Sequence, residues 1–177
     1  MVLVKPVIFQ IVGYQNSGKT TFILKLIQAL KKQGLKTATI KHHGHGGKPE
    51  EIPEKDSTKH LNAGAQASLV EGDGRMILQL EKSQIPLEDQ IMLLESLYPD
   101  IILIEGHKHK DYPKLVLVRG LEDLPLLSTV TNVKIIINWT EELNGFLKEQ
   151  QEIPCFSIQE PTALMWVTDF LKNMFKK

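Results

Sequence analysis

The sequence lacks the features that mark several large classes of protein. Its one cysteine, Cys155, excludes an intrachain disulfide, so we expect a reducing cytoplasmic environment. Lys plus Arg number 21, as do Asp plus Glu, and this zero formal net charge argues against a broad nucleic-acid-binding surface. No apolar run approaches the roughly 18 residues of a membrane span. We therefore expect a soluble cytoplasmic protein that binds neither nucleic acid nor membrane.

The N-terminal stretch MVLVKPVIFQIVG is apolar but is interrupted by Lys5 and Pro6, and it has no small-residue cleavage site. This pattern favours a buried first strand over a signal peptide. The 177 residues are 42% apolar and 24% charged, which is typical of a globular protein with a substantial core. We predict one compact domain over residues 1–177.

Apolar runs and helical periodicity alternate along the chain. Residues 7–12 form a short apolar run typical of a strand buried on both faces, residues 20–32 carry apolar side chains at helical spacing, and residues 37–41 read as a second strand. This order indicates a parallel α/β sheet. Further predicted strands are 67–70 and 76–81, paired around the turn EGDG, then 100–105, 114–118 and 134–137. Further predicted helices are 86–97, 141–150 and 162–176.

The stretch GYQNSGKT, residues 13–20, matches the motif G-x-x-x-x-G-K-S/T between the first strand and the first helix. Glycines let backbone N–H groups approach the phosphates, the lysine reaches the β and γ oxygens, and the threonine hydroxyl completes a Mg²⁺ shell. We predict a P-loop NTPase three-layer α/β fold, with a mainly parallel sheet and an added antiparallel hairpin. The residues assigned to the nucleotide here are Gly13, Asn16, Ser17, Gly18, Lys19, Thr20 and Thr21. The last of these could instead cap the helix.

Acidic residues that could hold Mg²⁺ follow the predicted strands. Glu105 ends an apolar strand, where the metal-binding acid of a P-loop protein belongs, whereas Asp100 begins that strand and should lie at the far edge of the sheet. Asp56, in the long polar connection after the second strand, is the second candidate acid. We assign the metal site to Thr20, Asp56 and Glu105, and catalysis to Lys19 and Glu105.

The segment after the strand at 134–137 is the candidate for base recognition. Asn138 and Glu141 lie where guanine recognition would be placed, and the carboxylate could accept from the N–H groups of guanine. Alternatively, Thr140 is the N-cap of the next helix. Trp166 and Phe170, four residues apart, are expected to pack in the core rather than to form a stacking surface.

Histidines cluster in two segments that should both lie at the carboxyl ends of strands. Four of the six are in or beside the loop that starts at residue 42, and the other two follow Gly106. They could form a zinc cluster or line the nucleotide cleft, although H-x-H spacing is a weak metal signal. Lys41, Lys108 and Lys110 lie in the same segments, so an anionic second ligand is a further hypothesis.

The P-loop, the strand ending LIEGHKH and the loop KHHGHGG…EKDSTKHLNAGA together resemble MobB, the molybdopterin-guanine dinucleotide biosynthesis protein B family. The resemblance covers most of residues 5–120. Departures from the family pattern are Gly44 for a histidine, Glu54 for a glycine and His107 for a phenylalanine. The residues that match it beyond the P-loop are Lys41, His42, His45, Lys55, Asp56, Ser57, Ala63, Gly64, Ala65, Glu105, Gly106 and Lys108.

The resemblance implies a GTP-binding, weakly GTP-hydrolysing homodimer with Mg²⁺ as its metal. It also implies a partner, the MobA-like guanylyltransferase that joins GMP to molybdopterin. Neither Arg75 nor Arg119 is an obvious arginine finger, which fits slow intrinsic turnover. Two alternatives stay open: a P-loop kinase acting on a small metabolite, and a nucleotide-gated adaptor in which hydrolysis is incidental.

Overall fold

The computed structural model describes residues 5–42, 56–140, 142, 143, 145, 147 and 153–176. The chain divides into two compact units, one made of residues 1–42 and 91–177 and the other of residues 43–90. A single domain over residues 1–177 stays a prediction. Among the described residues, no helix has both the length and the apolar character of a membrane span.

The larger unit is built on a six-stranded sheet in which all neighbouring strands are parallel. The strands of the chain are β1 Val7–Val12, β2 Thr37–Lys41, β3 Ala67–Gly72, β4 Arg75–Leu80, β5 Ile101–Glu105, β6 Lys114–Val118, β7 Val133–Asn138 and β8 Cys155–Ser157. The sheet order is β2-β5-β1-β6-β7-β8. All six strands therefore end at the same side of the sheet, which we call the carboxyl edge; the opposite side is the amino edge.

Helices cover both faces of this sheet. The helices of the described residues are α1 Lys19–Lys32, α2 Asp56–Asn62, α3 Leu87–Glu95, α4 Pro125–Thr129 and α5 Pro161–Phe175, with a 3₁₀ turn at Leu121–Asp123; of these, α2 belongs to the smaller unit. Leu26 of α1 and Val167 of α5 are buried with strand residues on one face, while Leu126 of α4 and Leu147 are buried on the other. Because both faces are covered, the strands read as continuous apolar runs, and the predicted three-layer fold is confirmed.

The smaller unit contains α2 and the antiparallel hairpin β3–β4. The strands pair from Ala67 opposite Leu80 to Gly72 opposite Arg75. The two turn residues, Asp73 and Gly74, have φ values of 51° and 76°, and positive φ at both positions is what a type I′ turn requires. The hairpin predicted around EGDG is confirmed.

Most element bounds agree with the sequence predictions, and the differences are local. β1, β2 and β6 coincide with their predicted ranges. Four short elements were not predicted: α2 within the polar connection, the 3₁₀ turn, α4, and the three-residue strand β8. The predicted helix at 141–150 lies partly outside the described residues, but Leu143 and Leu147 within it are helical and buried.

Candidate functional site

The loop between β1 and α1 has the geometry that its glycines predict. A methyl carbon at Gly13 would lie 2.5 Å from Ser17 Oγ and 2.9 Å from the carbonyl oxygen of Leu117, so no side chain fits there. Gly18 has φ 88° and is the N-cap of α1, and Asn16 also has positive φ, at 59°. Ser17 is buried in the loop and Asn16 is exposed. The loop is thus tightly wound at the start of a helix, where backbone N–H groups can bind phosphate.

Lys19 is held across this loop by a backbone contact. Its Nζ donates to the carbonyl oxygen of Tyr14 at 2.7 Å. Burial lowers the pKa of Lys19, and the nearby carboxylate of Glu105 opposes that shift only in part. The partly desolvated ammonium and the N–H groups of the loop together favour an anion. A polyphosphate would supply the negative charge and the acceptor oxygens that they can bind.

The threonine of the loop and the acid at the end of β5 meet. Thr20 Oγ1 donates to Glu105 Oε1 at 3.0 Å and lies 3.2 Å from Oε2. Lys41 Nζ lies 4.0 Å from the same carboxylate. Hydroxyl and carboxylate oxygens are the ligands Mg²⁺ prefers, and Mg²⁺ sites usually use one or two protein ligands with phosphate and water supplying the rest. The pair Thr20–Glu105 therefore fits the predicted metal.

The other two acids considered from the sequence are Asp100, just before β5, and Asp56, in the smaller unit. Asp100 accepts from the backbone N–H of Lys36 at 2.6 Å at the amino edge, which confirms that it is remote from the loop. Asp56 is the exposed first residue of α2 in the smaller unit and pairs with Lys59 at 2.9 Å. Its part in a metal site stays a prediction.

A strained turn follows Glu105 and is supported by a residue that sequence reasoning missed. Gly106 and His107 have φ values of 94° and 52°. The fully buried Gln10, on β1, donates from Nε2 to the carbonyl oxygens of Gly106 at 3.1 Å and His107 at 2.9 Å. A polar side chain inside an otherwise apolar strand was the available signal, and its effect is to fix the turn next to Glu105.

The two histidines nearest this turn contact each other. The rings of His42 and His107 have centroids 4.4 Å apart and are tilted by 39°. A methyl carbon at Gly106 would lie 3.2 Å from His42 Cβ, so a side chain at this position would press on His42. Among the residues that the structure describes, no three His, Cys, Asp or Glu side chains are placed to share a metal ion. His43 and His45, part of the zinc hypothesis, lie outside the described residues.

Arg119, one residue beyond β6, is engaged by a buried acid. Its Nε and one terminal nitrogen donate to Asp123 at 3.0 and 3.1 Å, and its backbone N–H donates to the same carboxylate at 2.9 Å. Burial tends to raise the pKa of Asp123, but the hydrogen bonds from Arg119 outweigh it and the net pKa is lowered. The guanidinium is therefore occupied, in keeping with the expectation that it is not a ready arginine finger.

The candidate base-recognition segment is only partly described. Asn138 is fully buried and its Nδ2 donates to the carbonyl oxygen of Phe156 at 3.1 Å, so its contact with a base stays a prediction. Thr140 Oγ1 accepts from the backbone N–H of Leu143 at 3.3 Å, which confirms the alternative role of Thr140 as an N-cap. Glu141 lies outside the described residues.

Two further expectations concern helical residues. Thr21 is exposed in the first turn of α1, and because Gly18 occupies the N-cap position, the alternative that Thr21 caps the helix is wrong. Trp166 and Phe170 have nearly parallel rings with centroids 5.1 Å apart, and both pack against the core. Their predicted structural role is confirmed.

The parallel sheet, the loop after β1 and the adjoining threonine–carboxylate pair define a P-loop NTPase fold. Residues 8–139 match the family model of MobB, described as Molybdopterin guanine dinucleotide synthesis protein B. The chain belongs to this family, as its resemblance in sequence predicted.

Relatives and solved structures agree with this assignment. The chain is 41% identical over 176 residues, 98% of each chain, to the probable molybdopterin-guanine dinucleotide biosynthesis adapter protein of Bacillus subtilis. A Haemophilus influenzae adapter protein of the same description is 30% identical over 92% of this chain and 86% of its own. The crystal structure of Bacillus subtilis MobB superimposes with a TM-score of 0.79 at 39% identity, covering 92% of this chain and 96% of that one. Helicobacter pylori HypB, with a TM-score of 0.53 and 16% identity, shares the fold.

Proposed function

We propose that this chain binds GTP with Mg²⁺ and hydrolyses it slowly, as an accessory protein in the biosynthesis of molybdopterin guanine dinucleotide. The observation that carries the proposal is the contact of Thr20 with Glu105, 3.0 Å apart, directly after the loop that holds Lys19. A P-loop, its lysine and a metal-binding acid in contact with its threonine are the parts a Mg²⁺-nucleotide site needs.

Each side chain would have a separate task in that chemistry. Lys19 would exchange its contact with Tyr14 for the β and γ oxygens, while Thr20 and Glu105 would hold Mg²⁺ directly or through water. Mg²⁺ would neutralise charge on the transferred phosphoryl group during in-line attack by water. Because Arg119 is bound to Asp123, its guanidinium is not free to stabilise that charge, which supports slow turnover.

The partner assignment rests on the relatives, which are described as adapters in molybdopterin-guanine dinucleotide biosynthesis. We propose that this chain, as a single cytoplasmic domain, assists a MobA-like guanylyltransferase that joins GMP to molybdopterin. The guanine preference is part of the same proposal. Asn138 and Glu141 are its candidate base contacts, and Asp56 is its candidate second acid.

A homodimer is the proposed oligomeric state, and the hairpin of the smaller unit supports it. Six apolar residues on β3 and β4 are between 37% and 56% exposed. These residues are Leu69, Val70, Met76, Ile77, Leu78 and Leu80. A two-stranded hairpin is marginally stable alone, and exposed apolar side chains on it are typical of a surface that binds another protein. Sedimentation equilibrium should report twice the monomer mass; a monomer at all concentrations would remove this part of the proposal.

Calorimetric titration of GTP and ATP, each with Mg²⁺, tests the nucleotide site. Wild type should prefer GTP, and Lys19→Ala should weaken binding strongly because the loop loses its cation. Lys25→Ala is the matched control, since Lys25 is an exposed lysine of the same helix. Equal or ATP-preferring binding would favour the small-metabolite kinase, and no binding to wild type would contradict the proposal.

Glu105→Gln separates the GTPase from an adaptor in which hydrolysis is incidental. If nucleotide-gated partner binding is the function, this variant should bind the guanylyltransferase while residual GTP turnover is lost. Loss of partner binding at GTP concentrations that saturate the variant would contradict the adaptor form of the proposal.

A further inference from the structure

Trp139, the first residue after β7, contacts the P-loop from outside it. Its indole Nε1–H donates to the carbonyl oxygen of Ser17 at 3.1 Å. A methyl carbon at Gly18 would lie 3.2 Å from Trp139 Cζ2 and 3.9 Å from Cε2. The indole thus fills the space beside Gly18 that a side chain would otherwise occupy, while 42% of the residue stays exposed.

The backbone on either side of Trp139 is fixed, so its indole approaches the loop from a defined direction. Its own N–H donates to the carbonyl oxygen of Val118 at 3.2 Å, which continues the pairing of β7 with β6. The carbonyl of Asn138 accepts from the N–H of Ile158 at 2.7 Å, and Thr140 caps the helix that follows. The contact with Ser17 therefore ties the loop to the sheet.

This contact acts on the part of the loop that must bind phosphate. Gly18 has φ 88° and ψ 10°, and as N-cap of α1 it contributes no side-chain hydrogen bond to the helix. A glycine is free to adopt other conformations, and ordering it on binding costs entropy. An external donor on the Ser17 carbonyl holds that peptide in one orientation, and because the peptide is trans, the N–H of Gly18 points to the opposite side.

We propose that Trp139 is a positioning residue of the P-loop, which raises the affinity for polyphosphate by holding Ser17 and Gly18 in the binding conformation. The inference rests on the proposed nucleotide binding and adds a residue to it. Preorganisation of this kind improves affinity because less freedom is lost on binding. Its action is on the phosphates, so it should not depend on the base.

The test compares Trp139→Phe and Trp139→Ala with wild type by calorimetry, using Mg²⁺-GTP and inorganic tripolyphosphate as separate ligands. Phenylalanine keeps the ring but loses the N–H donor, and we expect about fivefold weaker binding of both ligands, the size of one net hydrogen bond. Alanine also removes the ring beside Gly18 and should weaken both by more. Thermal unfolding of each variant, measured in parallel, shows whether the fold is retained.

The second tryptophan provides a matched spectroscopic control. Trp166→Phe leaves Trp139 as the one tryptophan, and its emission should change saturably with tripolyphosphate at the midpoint found by calorimetry. Trp139→Phe leaves Trp166, which packs against Phe170, and its emission should not change. This readout reports on the environment of the indole itself, which a merely structural role would not alter on binding.

The contrary outcomes are distinct. Wild-type affinity in both Trp139 variants would overturn the inference while leaving the proposed function in place. Weaker binding of GTP with unchanged binding of tripolyphosphate would also overturn it, because the contact would then be with the nucleoside. No binding of either ligand to wild type would overturn the proposed function and this inference with it.

Discussion

The two edges of the central sheet each carry a lysine with a pKa lowered by burial, and the lysines have different partners. At the amino edge, Lys114 is fully buried and its Nζ donates to the backbone carbonyl oxygens of Lys110 and Thr131. At the carboxyl edge, Lys19 donates to the loop carbonyl of Tyr14 and lies near the Glu105 carboxylate. Lys114 joins the segments that precede β6 and β7 by binding their carbonyl oxygens. Lys19 lies where a ligand could replace its contact with the loop carbonyl.

The carboxylates at the two ends of β5 also differ in the kind of partner that they bind. Asp100, just before the strand, accepts from the backbone N–H of Lys36. Glu105, at its last residue, accepts from the hydroxyl of Thr20. Rotation of a threonine side chain can bring its hydroxyl oxygen to a metal ion without moving the backbone. A main-chain N–H cannot be redirected in this way. Residue type alone therefore does not mark the site, since the two carboxylates differ in the kind of partner that they bind.

The largest effect should come from Lys114→Met. The change leaves two backbone carbonyls near the amino edge without their donor, and we expect a loss of about 3 kcal/mol in the free energy of unfolding. Nucleotide affinity should be unchanged. Chemical denaturation and calorimetry on the same preparation measure both quantities.

Lys19→Met is the counterpart of that variant. It should weaken nucleotide binding about 100-fold, which is about 2.7 kcal/mol, without lowering the free energy of unfolding, because a partly desolvated charge is removed. If Lys114→Met impaired nucleotide binding as severely as Lys19→Met, the two edges would not be functionally distinct.

A smaller effect should separate the two ends of β5. Glu105→Gln should weaken nucleotide binding about tenfold, or about 1.4 kcal/mol, in the presence of Mg²⁺ and much less in EDTA, since the amide is a poorer metal ligand. Asp100→Asn is the matched control and should leave both affinities as in wild type. Equal losses with and without Mg²⁺ would show that Glu105 acts through the loop rather than through a metal.

The sequence allowed the local parts of this arrangement to be predicted. The spacing within residues 13–20 and the position of Glu105 at the end of an apolar run were enough to assign Lys19, Thr20 and the acid. β1 and β6 could be bounded because strands buried on both faces read as apolar runs. These signals lie in residues that are neighbours in the sequence, so they can be recognised without knowledge of the tertiary structure.

The supporting contacts could not be predicted in the same way. Gln10 and Gly106 are 96 residues apart, and Ser17 and Trp139 are 122 residues apart. Whether they meet depends on β1 lying between β5 and β6 and on β7 lying next to β6, which periodicity does not reveal. β8 has three residues, too few to show a period, and α2 begins within a polar stretch that lacks apolar spacing.

The smallest effect concerns the acid dependence of stability. The Asp123 carboxylate lies near the carboxyl edge, but like Asp100 at the amino edge it accepts from a backbone N–H. Its donors are the backbone N–H and the guanidinium of Arg119. Its pKa is lowered in the folded protein, so the unfolded chain binds more protons in the acid range. This contribution to stability is present above the ordinary aspartate pKa and is lost as the pH falls through the lowered folded value.

Asp123→Asn should therefore show a shallower fall in the free energy of unfolding than wild type from about pH 5 downward, although it is less stable at neutral pH. Asp169→Asn, an exposed carboxylate of α5, is the control for removing an aspartate charge outside this contact. Urea denaturation at a series of pH values gives the slopes directly. An unchanged slope in Asp123→Asn would mean that the pair with Arg119 is not maintained in solution. The guanidinium of Arg119 would then be available to the phosphate site, as a second cation beside Lys19 at the carboxyl edge.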